Sequence, residues 1–270
     1  MHAHNSYAYS EKGMLAMCLI NFHWQEHANY PLIIAANRDE FYERPTAPAH
    51  FWEDAPDLLA GRDLLQQGTW LGITKQGKFA ALTNFRDPQH MTPGKVSRGA
   101  IVGQFLTEDW SPREFVEALR KNKDDYTGFN VFVGTLNELY HYNNVYDEIT
   151  KIKPGTHGLS NDTLNTPWPK VVKGKRLLHA RTAQTNDIDT DKLFHMLYDT
   201  DEAPDEALPS TGVDWDFEKK LSPPFIHTGN YGTRASTVLL IDKAHRVTFI
   251  ERTFNEGEFR DEKTFSFHIT

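Results

Sequence analysis

The sequence predicts an α+β protein in which antiparallel sheets and helices occupy separate stretches of the chain. Strand-like segments come first, helices follow, and more strands close the chain. Few strand–helix–strand repeats occur, which disfavours a doubly wound parallel sheet. The Walker motif and the dinucleotide-binding glycine fingerprint are both absent. Apolar residues make up 39% of the 270 residues, which is enough for a sizeable core.

Short apolar runs that flank polar turns predict the strands of the first third of the chain. Cys18–Phe22 and Leu32–Ala36 lie on either side of a polar segment, which is typical of a hairpin or of two adjacent strands. Thr69–Thr74 and Phe79–Phe85 flank a glycine-containing turn in the same way. Between these hairpins, Arg44–His50 contains two prolines, and we expect it to be an extended loop.

Helices are predicted in the middle of the chain. Gly99–Thr107 and Ser111–Lys121 are predicted to be helical, and the second begins with a serine N-cap, a proline and a capping-box glutamate. Trp168–Arg181 and Asp189–Asp199 are also helical in pattern. Asp199–Ser222 is acidic and contains proline, so we expect a surface loop or flexible insert. Further strands are predicted at Asn130–Leu136, Leu139–Asn143, Ser236–Ile241, Val247–Phe254 and Phe265–Ile269.

Composition excludes several classes of function. The net charge is −8 and no long run of lysine and arginine occurs, so nucleic acid is not an expected partner. No stretch approaches the ~20 apolar residues of a membrane-spanning helix, so we predict no integral membrane segment. The single cysteine, Cys18, excludes a disulfide within the chain and any multi-cysteine metal site. We expect a cytoplasmic protein.

The leading segment gives three alternatives for the start of the protein. Residues 1–17 are polar up to Met14 and make a poor signal peptide. Met17 is too large for the position before a lipoprotein cysteine. Met14 and Met17 are alternative starts, and a start at Met17 followed by loss of that methionine leaves Cys18 at the N-terminus. Otherwise residues 1–16 form an inert, disordered extension. We see no boundary in residues 17–270 and predict one domain there.

Cys18 is the first candidate for catalysis. A lone cysteine is more often a small hydrophobic core residue than a catalyst. An N-terminal cysteine, however, combines a nucleophilic thiolate with its own α-amine, whose pKa near ~8 suits a general base. Both interpretations stay open from the residue alone.

The polar run that follows the second predicted strand supplies two charged candidates. Arg38 can lower the pKa of a nearby thiol, and Asp39 can hold an ammonium group by a charge-assisted hydrogen bond. A hairpin between the first two strands would bring both residues back beside Cys18. The alternative is that this run is a solvated turn.

Three later residues complete the candidate set. Asn84 ends a predicted strand, Asn161 follows Gly158-Leu159-Ser160, and Arg234 precedes a strand. Asparagine is common in turns, so each is open to an ordinary structural role. Amide side chains also stabilise oxyanions, and arginine can orient a carboxylate or a neighbouring nucleophile.

Several segments, in order along the chain, carry a resemblance to one known family. They are Met17–Ile20, Ala35–Phe41 with Arg44-Pro45, Gly68–Gly72, Ala81–Asn84, Gly128–Asn130, Gly158–Asn161 and Tyr231–Arg234. The chain resembles the NRDE-motif family, that of Transport and Golgi organization 2, from Met17 to the last strands. The resemblance implies an N-terminal-nucleophile-hydrolase-like αββα sandwich of antiparallel sheets, with a single family domain over residues 17–270.

The nearest analogue within that superfamily is the choloylglycine hydrolase and penicillin V acylase group. Its site uses an N-terminal cysteine, an arginine, an aspartate, two asparagines and a late arginine. The resemblance places these roles on Cys18, Arg38, Asp39, Asn84, Asn161 and Arg234. A gap separates arginine from aspartate in the analogue, whereas they adjoin here.

The resemblance leaves two functions open. The first is a cysteine amidase or acyl-thioester hydrolase that acts on a small acylated substrate and needs no cofactor. The second is a non-catalytic protein that binds and traffics haem or an acyl lipid, since members of the family are linked to Golgi organisation, lipid and acyl-CoA homeostasis and haem trafficking.

Candidate ligand residues for the carrier function are few. His157 lies beside Gly158 in a family motif and is the candidate haem ligand. Aromatic residues such as Phe41, Trp52, Trp70 and Trp168 would line an apolar pocket or simply form the core. The 13 histidines are scattered without tight ligand spacing, so we predict no metal site.

Overall fold

Two antiparallel sheets face each other, and helices cover their outer faces. The computed structural model describes residues 17–86, 96–183 and 186–270. The predicted extension 1–16 lies outside these residues. The helices of the described part are α1 (Gly99–Thr107), α2 (Pro112–Lys121), α3 (Pro169–Thr182), α4 (Thr190–Leu197) and α5 (Trp215–Lys220), with 3₁₀ turns at Lys123–Asp125 and Asp205–Ala207.

The strands of the described residues divide between a six-stranded and a seven-stranded sheet. In chain order they are β1 (Cys18–Trp24), β2 (Leu32–Phe41), β3 (Thr46–Phe51), β4 (Leu58–Asp63), β5 (Leu71–Thr74), β6 (Phe79–Asn84), β7 (Phe129–Gly134), β8 (Leu139–Asn143), β9 (Glu148–Lys151), β10 (Gly155–Leu159), β11 (Tyr231–Ile241), β12 (Arg246–Asn255) and β13 (Glu258–His268). The six-stranded sheet has the order β10-β1-β2-β11-β12-β13, and the other runs from β3 to β9 in sequence order.

Alternation along the strands explains the layers. On β1, Ile20, Phe22 and Trp24 point into the core between the two sheets. On β2, Ile33 and Ala35 point the other way and pack under α3 and α4. A third apolar cluster joins the outer face of the seven-stranded sheet to α1 and α2. The predicted αββα sandwich of antiparallel sheets is therefore confirmed.

The first hairpin differs from its prediction in length. Strand β2 does not end at Ala36 but continues through the polar run to Phe41. Asn37 and Asp39 are almost fully buried, so this run is not a solvated turn. The run stays in the sheet because β1 pairs with it on one side and β11 on the other.

Two other predicted loops contain regular secondary structure, and the prediction for the first of them is wrong. The expected loop Arg44–His50 is mostly strand β3, which tolerates the exposed Pro48 because β3 is an edge strand with a register shift between Ala47 and His50. Most of the expected loop Asp199–Ser222 is irregular, as predicted, but the segment also contains helix α5. Its Glu218 is buried and forms an ion pair with Arg86, two residues after the end of β6.

The remaining helices and the β5–β6 hairpin match their predictions to within a few residues. Helix α2 begins with the predicted capping box, in which Ser111 accepts from the backbone N–H of Glu114. None of the helices in the described part of the chain has the length and apolar character needed to cross a membrane.

Candidate active site

Cys18 is the first residue of β1, and the hairpin places it directly beside the polar run of β2. The Cα of Cys18 pairs with that of Arg38, and the backbone N–H of Asp39 donates to the carbonyl of Met17 at 2.9 Å. The pairing follows from the sequence because the apolar runs of β1 and β2 align residue by residue. Two of the predicted site residues therefore lie next to Cys18.

Asn161 approaches Cys18 from the end of β10. Its Oδ1 accepts from the backbone N–H of Cys18 at 3.4 Å, and its Nδ2 donates to the carbonyl of Asn84 at 2.9 Å. The hydroxyl of Ser160 lies 2.9 Å from the carbonyl of Cys18 and 3.1 Å from Asn161 Oδ1. The amide of Asn161 is thus oriented with its oxygen towards the nitrogen of Cys18, and it links Cys18 to Asn84.

Asp39 is a buried carboxyl group with one oxygen in use. Its Oδ1 accepts from the hydroxyl of Thr233 at 2.6 Å, whereas Oδ2 is buried without a hydrogen-bond partner among the described residues. Burial raises the pKa of Asp39, although the charge of Lys170 and the Thr233 hydroxyl favour the ionised form. An unpaired buried carboxylate oxygen is costly, so this position suits a further hydrogen-bond donor.

Lys170 on α3 is a buried amine close to this carboxyl group. Only 3% of it is exposed, and its Nζ donates to the carbonyl of Leu221 at 3.0 Å. Burial lowers the pKa of Lys170, and the charge of Asp39 opposes this shift. The neighbourhood of Asp39 therefore holds one buried side-chain amine, that of Lys170.

Met17, the residue that precedes Cys18, covers one side of the site. Its side chain is 1% exposed and packs against Phe41, Ile226 and Tyr231. Its backbone N–H donates to the Tyr231 hydroxyl at 2.6 Å. With Met17 in place Cys18 is 6% exposed, and burial, aided by the charge of Asp39, raises the pKa of its thiol to about 12. A thiol in that state is not a nucleophile near neutral pH.

Arg38 belongs to a charged cluster between the two sheets. Its Nη2 lies 3.6 Å from Glu40 Oε2 and 3.8 Å from Asp63 Oδ2 on β4. Arg44 forms ion pairs with the same two carboxylates. Arg38 also lowers the pKa of the Cys18 thiol, but this effect is smaller than that of burial. The cluster fixes a positive charge beside the cysteine.

Arg234 and His157 have structural partners of their own. Arg234 donates from Nη1 to the carbonyls of Phe41, Tyr42 and Arg44, which fastens the connection between β2 and β3. His157 stacks on Phe22 with ring centroids 5.1 Å apart.

Both ring nitrogens of His157 are occupied. Nε2 lies 2.9 Å from the carbonyl of Lys153, and Nδ1 lies 3.1 Å from Asn165 Nδ2. Iron coordination by His157 would require one of these contacts to break, and its role as a haem ligand stays a prediction. The aromatic residues proposed as pocket lining, Phe41, Trp52, Trp70 and Trp168, are all buried.

Comparison with known proteins places this arrangement in a family. The family model described as Transport and Golgi organisation 2 matches residues 17–256. The chain belongs to this family.

Relatives from animals agree with this assignment. The Transport and Golgi organization 2 homolog of Mus musculus is 34% identical over 274 residues, covering 94% of this chain and 99% of the mouse protein. The Bos taurus homolog is 36% identical over 257 residues, covering 88% of this chain and 93% of the bovine protein. The resemblance seen in the sequence to the Transport and Golgi organisation 2 family is confirmed.

Solved structures with a similar chain path come from conjugated bile acid hydrolase of Clostridium perfringens. One mutant of that hydrolase superposes with a TM-score of 0.47 at 10% identity, over 93% of this chain and 98% of that one. A second variant gives a TM-score of 0.41, also at 10% identity, over 95% of this chain and 90% of that one.

Sequence reasoning missed several residues of the site in this Transport and Golgi organisation 2 chain. Ser160, Tyr231 and Thr233 lie inside motifs that carried the family resemblance, so the motifs themselves were the available signal. Lys170 has no such signal, because a lysine in a predicted helix is ordinarily solvent-exposed. Only its tertiary contact with Leu221 reveals its burial.

Glu251 on β12 is another buried carboxyl group of this family member, and it lies near Arg38. Its Oε1 accepts from the backbone N–H of Ala49 at 2.6 Å, which ties the six-stranded sheet to edge strand β3. Burial raises the pKa of Glu251 to about 7. The folded chain therefore keeps this proton at pH values where the unfolded chain has lost it.

The Glu251→Gln variant tests this proton. Between about pH 4.5 and 7 only the folded state binds it, so the wild-type free energy of unfolding falls as the pH rises. Glutamine does not ionise, so the Glu251→Gln variant lacks this fall in the free energy of unfolding. We expect the free energy of unfolding of the variant, minus that of wild type, to be about 2–3 kcal/mol larger at pH 8 than at pH 5. Urea unfolding at the two pH values measures it. Exposed Glu206→Gln is the control. An equal difference at both pH values contradicts the prediction.

Proposed function

We propose that this chain is a cysteine-dependent hydrolase of amide or thioester bonds in small acylated substrates, active once Cys18 is the N-terminal residue. The observation that carries the proposal is the buried Asp39 carboxyl group with its unpartnered Oδ2 among the described residues, beside the junction of Met17 and Cys18. Removal of Met17 converts the nitrogen of Cys18 into an ammonium group. The oxygens of Asn161 and Asp39 are suited to hold this group.

Acylation is the first half of the reaction. The α-amine of Cys18, in its neutral form, takes the proton of its own thiol, and the thiolate attacks the carbonyl carbon of the substrate. The tetrahedral intermediate collapses, and the amine or thiol leaving group departs with the proton from the α-ammonium group. The acyl group remains on the Cys18 sulfur as a thioester.

Hydrolysis restores the enzyme. The α-amine takes a proton from a water molecule, whose oxygen attacks the thioester carbon. The carboxylic acid leaves, and the cysteine sulfur regains its proton from the α-ammonium group. No metal, oxidant or cofactor is needed to balance either half of this reaction.

The neighbours of Cys18 have separate roles in this proposal. Arg38 favours the thiolate through its positive charge, since it lies opposite Cys18 on β2. The side-chain amide of Asn84 donates to the developing oxyanion, a contribution typically worth ~3–4 kcal/mol in the barrier. Asn161 holds the α-amine, and Arg234 positions the segment that follows β2.

The Cys18→Ala variant tests the proposed nucleophile. The chain is prepared so that residue 18 comes first, exposed to a p-nitrophenyl acyl ester, and followed by intact mass. We expect one added acyl group that hydroxylamine removes and that is lost with time, because a thioester is labile. The alanine variant should gain none.

Two outcomes would contradict the proposal. The first is labelling that persists in the alanine variant. The second is an adduct that resists hydroxylamine, since that adduct would be an amide on the α-amine and not an acyl-enzyme. Asp39→Asn serves as a milder variant, in which acylation is expected to slow while the thiol remains.

A further inference from the structure

Three potential metal ligands converge at the end of β1 that is remote from Cys18. They are His23 on β1, Glu26 in the connection to β2, and His179 in the last turn of α3. One ligand atom from each lies within 4.8 Å of the others. His23 is 2% exposed, whereas Glu26 and His179 are exposed. One residue of the cluster is therefore buried, and the other two are exposed to solvent.

Thr156 on β10 lies at the centre of this cluster. Its Oγ1 is 2.7 Å from His23 Nδ1, 3.4 Å from Glu26 Oε2 and 3.5 Å from His179 Nδ1. A metal-bound histidine usually donates from its other ring nitrogen to an oxygen, and Thr156 is such a partner for His23 Nδ1. In that tautomer His23 Nε2 carries a lone pair.

The surroundings of His23 Nε2 suit a cation. Glu26 Oε2 lies 3.5 Å away, and Thr182 Oγ1 lies 3.4 Å away. The Thr182 hydroxyl is placed to donate to the carbonyl of Leu178 at 2.9 Å, so it offers only lone pairs to His23. The lone pair of His23 Nε2 and a carboxylate oxygen of Glu26 therefore lie close together beside the buried imidazole ring.

We propose that His23 Nε2, Glu26 and His179 form a binding site for Zn²⁺. Two imidazoles and one carboxylate match the ligands of open zinc sites, whereas Mg²⁺ and Ca²⁺ prefer oxygen ligands throughout. Tetrahedral zinc with such ligands needs donor atoms about 3.4 Å apart. Rotation of the exposed Glu26 and His179 side chains closes the distance, because neither is packed in the core.

Because Glu26 and His179 are exposed, the fourth coordination position of the ion is open to water or to an external ligand. The bound ion would join α3 to β1 of the six-stranded sheet, since His179 lies on α3 and His23 on β1. This site is separate from the one that contains Cys18, so its existence does not depend on the proposed hydrolysis.

Metal titration of the full chain tests the proposal. After chelator treatment and dialysis, the protein is titrated with Co²⁺, followed by visible absorption, and with Zn²⁺, followed by calorimetry. His2 and His4 are replaced by alanine throughout, so that they contribute no ligands. We expect one equivalent of metal to bind with the visible absorption bands of four-coordinate cobalt.

The ligand variants decide the location. Glu26→Gln and His179→Ala change exposed side chains and are each expected to weaken binding by at least about tenfold. His195→Ala is the matched control, because His195 is also an exposed histidine in the last turn of a helix and should bind as tightly as the parent. Absence of binding to the parent, or unchanged affinity in both ligand variants, overturns the proposal.

Discussion

The thiol of Cys18 is expected to react with iodoacetamide at least about 100-fold faster in a chain that begins at Cys18 than in one that retains Met17. With Met17 present, the thiol is buried and its pKa is about 12. Loss of Met17 removes the side chain that packs against Phe41 and Tyr231 and places a positive ammonium group beside the sulfur. Both changes favour the thiolate.

The reactivity measurement is unambiguous because Cys18 is the only cysteine. The two chains are compared at about pH 7.5 by intact mass after timed quenching. Unfolding in urea should bring their rates close together, which shows that the difference arises from the folded site. Asp39→Asn in the shorter chain controls for the carboxylate partner of the new terminus. Equal rates in the two folded chains would show that Met17 does not mask the thiol.

Replacing Glu218 by alanine is expected to lower the free energy of unfolding by about 3–5 kcal/mol. Glu218 and Arg86 form an ion pair in which both side chains are almost completely buried. Arg86 also lies over the Trp168 ring, and Glu218 accepts from the hydroxyl of Thr211. The alanine variant leaves the arginine charge buried without its carboxylate, and this uncompensated charge is the main cost.

A surface ion pair in the same region provides the control. Lys219 of α5 pairs with Asp205 at 2.6 Å, and both side chains are more than one-third exposed. Asp205→Ala should therefore cost less than about 1 kcal/mol. A double replacement, Arg86→Met with Glu218→Leu, is expected to recover much of the loss, because it removes both charges together. Urea unfolding measures all three, and a loss below about 1 kcal/mol for Glu218→Ala would contradict the argument.

Local patterns predicted much of the fold. The β1–β2 and β5–β6 hairpins follow from apolar runs around polar turns, and α2 follows from its capping box. The continuation of β2 through Asn37–Glu40 did not follow, because hydrogen bonds from β11, far along the chain, keep that polar run in the sheet. Strand β10 was missed because its two glycines lower strand propensity. Antiparallel pairing with β1 stabilises it as a strand in the folded protein.

The candidate sites show the same limit. The family motifs supplied Cys18, Arg38 and Asp39, and the hairpin explains why these residues adjoin. Lys170 was not predicted, because its burial depends on a contact with Leu221. The histidines of the proposed zinc site were not predicted either, since His23 and His179 come from separate parts of the chain and meet only when α3 packs on β1.

The position of β2 inside the six-stranded sheet has a consequence for how such a protein can diversify. Because β1 and β11 hold its backbone on both sides, Arg38 and Asp39 cannot shift independently to suit a new ligand. Divergence in ligand preference is then left to the segments that connect the strands, while the geometry around the cysteine is inherited unchanged.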